Sequence, residues 1–153
     1  MIKVLVFGTF DGLHEGHKDF FRQALRVASL PQGKLQNLEK SYLIVVVGRD
    51  STAQKTKNKL PKFNEQERLK VVQNSGLVDE ARLGNEAPPG EKLDPYKIIE
   101  EIKPDIICLG YDQANFTDKL ELALKEMGLG HVKIHRLKAF KPEKYHSSII
   151  NKE

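Results

Sequence analysis

The sequence predicts an α/β fold: a single domain over residues 1–153, built on a doubly wound sheet of about five mainly parallel strands with helices on both faces. Three observations predict it. Short β-branched apolar runs recur along the chain, segments of helical periodicity separate them, and most of the runs end on glycine or a polar turn.

Ile2 to Phe7 reads Ile-Lys-Val-Leu-Val-Phe and stops at Gly8, the pattern of a strand buried in a parallel sheet. Past the turn Thr9 to Glu15, the residues Phe20, Phe21, Ala24, Leu25, Val27 and Ala28 define an amphipathic first helix, ended by Pro31 and Gly33. Tyr42 to Val47 is the second strand, leaving through Gly48-Arg49-Asp50-Ser51 into a loop with Lys55, Lys57, Lys59 and Lys62. Asn64 then caps a helix, with Glu67 at capping-box spacing and Leu69, Val71 and Val72 behind it. Val78 to Leu83 is a short third strand. Asn85 to Leu93 is a loop, and Asp94 caps a helix that carries Ile98, Ile99 and Ile102 and stops at Pro104. Ile106 to Gly110 is the fourth strand, Asp118 to Met127 a helix, Val132 to Leu137 the fifth strand, and Ser147 to Asn151 a short terminal helix. Such alternation gives a Rossmann-like sheet whose ligands bind beyond the carboxyl ends of the strands. Chemistry is therefore expected in the turns after strands one, two and four.

Composition narrows the class. Charged residues make up 30% and hydrophobic residues 39%, which suits a folded soluble chain and argues against disorder. No apolar run approaches a bilayer span and no secretory leader precedes Ile2, so a cytoplasmic protein without membrane contact is expected. The lone Cys108 sits in an apolar run and reads as core, not nucleophile. A net charge of +4 would serve nucleic acid or a pocket for several phosphates equally well.

The strongest signal follows strand one: Gly8-Thr9-Phe10-Asp11-Gly12-Leu13-His14-Glu15-Gly16-His17, with a helix starting at its far edge. Gly8 is expected to let the backbone turn, and Gly16 to open the helix start so that a phosphate reaches free N–H groups at the positive dipole end. His14 and His17 share one face, where both imidazoles can donate to phosphate oxygens that gain charge in the transition state; Lys18 adds charge nearby. A zinc site needs three or four ligands and neither flank supplies them, so no protein-bound metal is expected here.

This segment resembles the cytidylyltransferase-like family, whose hallmark is Gly-Thr-Phe-Asp followed by His-x-Gly-His at the first strand-to-helix turn. The resemblance extends through Lys103-Pro104-Asp105-Ile106-Ile107 and Gly110-Tyr111-Asp112-Gln113 to Ser147-Ser148. It implies that Thr9 and Phe10 hold the nucleotide through their backbone, that Asp11 orders the acceptor side, and that Asp112, beside Gly110, contacts the nucleotide sugar. It further implies phosphate or acceptor contacts for Lys55 or Lys57 and for Arg68, and β- and γ-phosphate contacts for Ser147 and Ser148. Asp112 as a turn cap and Ser147 and Ser148 as helix caps are the plainer readings of those residues.

The implied reaction is in-line attack by an acceptor phosphate on the α-phosphorus of ATP or CTP, with Mg²⁺ bridging the triphosphate and pyrophosphate leaving. Within the family the branches to weigh are archaeal-type FAD synthase, glycerol-3-phosphate or other cytidylyltransferases, and pantetheine-phosphate adenylyltransferase. Glycerol-3-phosphate enzymes show an Arg-Thr-x-Gly-Ile-Ser-Thr-Thr ending, whereas this chain has Lys144-Tyr145-His146-Ser147-Ser148-Ile149-Ile150; together with Gly110 to Gln113 this favours ATP and FMN. The resemblance also suggests a homodimer. Two readings from other classes stand beside it. An RNA-binding, synthetase-like module would share the histidine turn but needs a Lys-Met-Ser-Lys-type loop, and a nucleotide sensor would keep the pocket without turnover.

Overall fold

The computed structural model describes residues 2–29, 41–50, 62–85, 96–110 and 114–137. They form β1 (Ile2–Gly8), α1 (Glu15–Ser29), β2 (Ser41–Val47), α2 (Glu65–Gln73), β3 (Glu80–Leu83), α3 (Lys97–Ile102), β4 (Ile106–Leu109), α4 (Ala114–Glu126) and β5 (Lys133–Arg136). The five strands make one sheet in the order β3-β2-β1-β4-β5, every neighbouring pair parallel.

Both faces are covered because the apolar strands alternate with period two. Val4, Val6, Leu43, Val45, Val47, Ile106 and Cys108 point to one side, where Phe21, Ala24 and Val27 of α1 and Val72 of α2 meet them. Leu5, Ile44, Val46, Ile107 and Leu109 point to the other, against Ile98, Ile99 and Ile102 of α3 and Leu120 and Leu124 of α4. Cys108 is fully buried, as expected of a core residue, and burial pushes its thiol up to about 12.

Element boundaries follow local chemistry. Asn64 forms the expected capping box with Glu67, its side chain accepting from the Glu67 N–H at 2.8 Å while the Glu67 carboxylate accepts from the Asn64 N–H. Helix α3 ends where Lys103 takes a left-handed φ of 52° ahead of Pro104. The third strand starts at Glu80, later than the apolar run suggests, because Asp79 turns its carboxylate onto the Leu43 N–H at 2.8 Å. Helix α4 begins at Ala114, ahead of the expected Asp118. The expected terminators Pro31 and Gly33, the Asp94 cap and the terminal helix at Ser147 lie outside the described residues. No helix among those described is long and apolar enough to cross a membrane.

The chain runs from β1 outward to β2 and β3, then returns to the opposite side of β1 for β4. The strand order thus reverses at β1, and the crevice beyond the carboxyl ends of β1 and β4 is the topological switch point where such sheets take ligands. The turn Thr9 to His14 and residue Gly110 both stand at that edge.

Candidate active site

The turn out of β1 is built around an aromatic ring. Phe10 takes a left-handed φ of 55°, which costs a non-glycine residue about 1–2 kcal/mol. The ring is only 5% exposed, a burial that contributes about 1.5–3 kcal/mol and offsets the strain. It packs 5.3 Å from Phe21 and edge-on to His17, also at 5.3 Å. The ring lies directly over Gly8, where a Cβ would come within 2.6 Å of it. Gly8 is therefore needed for missing bulk and not, as expected from the motif, for a glycine-only backbone angle. Gly12 does adopt such an angle, with φ at 91°.

Asp11 ties this turn to the segment that enters α2. Its two carboxylate oxygens accept the backbone N–H groups of Lys62 at 2.8 Å and Phe63 at 2.9 Å, so the entry to α2 is held against the β1 turn.

His14 and His17 are joined more closely than their spacing alone implies. His14 stands immediately before α1, and its Nδ1 accepts the Gly16 N–H at 3.0 Å while its carbonyl takes the Lys18 N–H at 3.1 Å. The His14 N–H donates in turn to Nδ1 of His17 at 3.3 Å, and the two rings stack at 3.8 Å with 26° between their planes. One expectation changes here: the Gly16 N–H is not open to a phosphate, because the His14 ring already occupies it. Lys18 pairs with Glu15 at 3.6 Å on the exposed side of α1.

Arg68 also departs from expectation. Motif placement assigns it to the acceptor, yet the residue is 1% exposed. Its Nε donates to the Phe63 carbonyl at 3.0 Å, Nη1 to the carbonyls of Thr9 at 2.8 Å and Gly48 at 2.7 Å, and Nη2 to Asp50 Oδ1 at 2.6 Å. One planar guanidinium thus joins the turns after β1 and β2 to the start of α2 and is buried among them. The Thr9 carbonyl, one part of the backbone expected to hold the nucleotide, accepts one of these bonds.

Asp50, Arg49 and Glu65 complete the network and were missed in the sequence. Glu65 Oε1 accepts the Asp50 N–H at 3.0 Å, its Oε2 pairs with Arg49 Nη1 at 2.8 Å, and Arg49 Nε reaches the Gly84 carbonyl at 2.7 Å. The only signal available was the position of Arg49-Asp50 at the carboxyl end of the second strand.

Gly110 follows β4 at the same edge of the sheet. Lys55, Lys57, Asp112, Ser147 and Ser148 lie outside the described residues. Among the described residues no cluster of three or more His, Cys, Asp or Glu is arranged to hold a metal ion. The carboxylates of Asp11 and Asp50 are taken up by backbone amides and by Arg68. Such a donor set fits a magnesium ion carried by the substrate's phosphates and water better than one caged by side chains.

The model of the cytidylyltransferase-like family matches residues 5–153. The chain belongs to this family. Among curated family relatives, it is 41% identical over 140 residues to the FAD synthase of Methanobrevibacter smithii, covering 92% of this chain and 81% of that one. It is 35% identical over 153 residues to the FAD synthase of Thermoplasma volcanium, covering 100% and 94%. A crystal structure described as the lipopolysaccharide core biosynthesis protein from Thermoplasma volcanium superimposes with a TM-score of 0.73 at 36% identity, over 92% of this chain and 98% of that one. The cytidylyltransferase-like membership and the parallel sheet read from the sequence are both borne out.

Proposed function

We propose that this protein is an FMN adenylyltransferase, joining ATP and FMN to give FAD and pyrophosphate. The observation that carries the reading is the complete signature from Gly8 to His17, seated at the switch point of a parallel sheet, in a chain whose relatives above are named FAD synthases.

A phosphate oxygen of FMN attacks the α-phosphorus of ATP in line; the bond to the β-phosphate oxygen breaks and pyrophosphate leaves. The chain's contribution is positioning and charge stabilisation, with no covalent intermediate on the protein. His14 and His17 donate to the oxygens that gain charge as the phosphorus becomes five-coordinate. Asp11 fixes the acceptor side by holding residues 62 and 63 against the β1 turn. Arg68 sets the separation of the two turns that face the triphosphate. Lys55 or Lys57, Asp112, Ser147 and Ser148 supply the remaining phosphate and sugar contacts that the family resemblance implies. Mg²⁺ bound with ATP would supply charge neutralisation at the triphosphate.

The family match over 5–153 supports one catalytic domain, and a homodimer in the cytoplasm completes the reading. Pyrophosphate release with Mg²⁺, crossing ATP and CTP against FMN, glycerol 3-phosphate and phosphopantetheine, tests the reaction. Release with ATP and FMN is expected, and release only with CTP would overturn the adenylyl assignment. A salt series on labelled RNA is expected to show no steep counterion-release slope, against the RNA-module reading. Sedimentation tests the dimer.

A further inference from the structure

We propose that His14 and His17 form a reciprocal helix cap that locks both rings as Nε2–H tautomers before substrate binds, making the motif a preset pair of donors. The spacing of His-x-Gly-His is that of a capping box, in which an N-cap side chain accepts a helix N–H and the side chain three residues on accepts the N–H of the cap. Here both side chains are imidazoles. His14 is the cap and accepts from Gly16 at 3.0 Å; His17 is three residues on and accepts from the His14 N–H at 3.3 Å.

The tautomer follows from the chemistry of the donors. A backbone N–H only donates, so each Nδ1 that receives one presents a lone pair, and the proton of the neutral ring sits on Nε2. A second proton on either ring would set N–H against N–H and place a charge 3.8 Å from the neighbouring ring. Stacking of the rings, with Phe10 edge-on to His17, restricts them from turning out of the cap. The Gly16 and His14 amides, which an ordinary helix start would offer to an anion, are instead spent on orienting the imidazoles. On the adenylyl-transfer reading, the helix acts on the phosphates through Nε2 of the two histidines, and that of His14 lies buried in this structure. The catalytic consequence rests on the adenylyl-transfer reading; the cap itself does not.

Two measurements on the full chain test the cap. In ¹⁵N-histidine NMR spectra of the free protein at neutral pH, His14 and His17 are each expected to show an unprotonated Nδ1 and a protonated Nε2. An Nδ1–H signal at either ring, or an even tautomer mixture, would overturn the proposal. The second measurement compares His17→Gln, which restores an ordinary capping-box acceptor, with His17→Ala. The alanine variant is expected to melt about 2–4 °C lower than the wild type, and the glutamine variant to recover most of that loss. Both should lose about 10²–10³-fold in turnover. Equal melting losses for Gln and Ala would overturn the cap. A wild-type protein with both Nε2–H tautomers but no pyrophosphate release from ATP and FMN would uphold the cap and defeat the FAD synthase reading.

Discussion

The two ends of the sheet use the same residue type in opposite ways. At the amino end, Asp79 and Asp105 each close a small ring with one strand residue. The Asp79 N–H donates to the Leu43 carbonyl at 3.1 Å while its carboxylate accepts the Leu43 N–H at 2.8 Å. Asp105 does the same with Lys3, at 3.0 and 2.9 Å. At the carboxyl end, Asp11 and Asp50 reach across between elements, one to residues 62 and 63 and the other to Arg68 and Glu65. The amino-end aspartates extend a parallel ladder by one rung. Those at the carboxyl end tie together the turns around the candidate site, so disturbing them should reach catalysis as well as stability. The Lys103-Pro104-Asp105 part of the family resemblance falls on the amino end and is structural.

The sharpest way to break this contrast is Arg68→Met. It removes a guanidinium buried among three carbonyls and a carboxylate and leaves Asp50 without its charged partner, so a stability loss of about 3–5 kcal/mol is expected in urea titrations. Arg68→Lys should recover only part of it, because an ammonium has three donors for the four bonds the arginine makes. Full stability in Arg68→Met would mean the guanidinium does not join the turns.

Asp11→Ala should cost about 1–3 kcal/mol of stability and lower turnover about 10²-fold through displacement of the acceptor side. Wild-type turnover in that variant would remove Asp11 from the site. Asp105→Ala is the matching change at the other end. It should cost about 0.5–1.5 kcal/mol and leave kcat and KM unchanged; a tenfold fall in kcat would erase the distinction between the two ends.

The smallest effect concerns Cys108, midway along β4. With its thiol raised from 9.0 to about 12, the folded state keeps a proton that the unfolded chain releases across that window. Stability at Cys108 is thus fully present below pH 9 and falls as the pH rises toward 12. A thiol-reactive dye at pH 8 should label the protein only once urea has unfolded it. Rapid labelling of the native protein would contradict the burial.

Strands and helices were legible because each depends on residues near one another in the chain. Val4, Leu5 and Val6 alternate to both faces by pleat geometry alone, and Asn64 with Glu67 caps α2 through a span of three residues. The chemical signature was legible for the same reason, since Gly8 to His17 is one continuous segment.

What tertiary structure decided lies in contacts between residues far apart in the chain. Arg68 reaches Thr9 across 59 positions and Asp11 reaches Lys62 across 51. No periodicity encodes those distances, and an arginine near a phosphate motif looks the same in sequence whether it faces ligand or core. The left-handed turn of Phe10 over Gly8 is a further case, because its strain is repaid only once Phe21 and His17 are in place to bury the ring. The sequence by itself determined the parallel sheet and the family, and it singled out the candidates for phosphate contact. Folding decided which charged side chains hold the turns in place, as Arg68 and Asp50 do, because that depends on what surrounds each charge once the strands have paired.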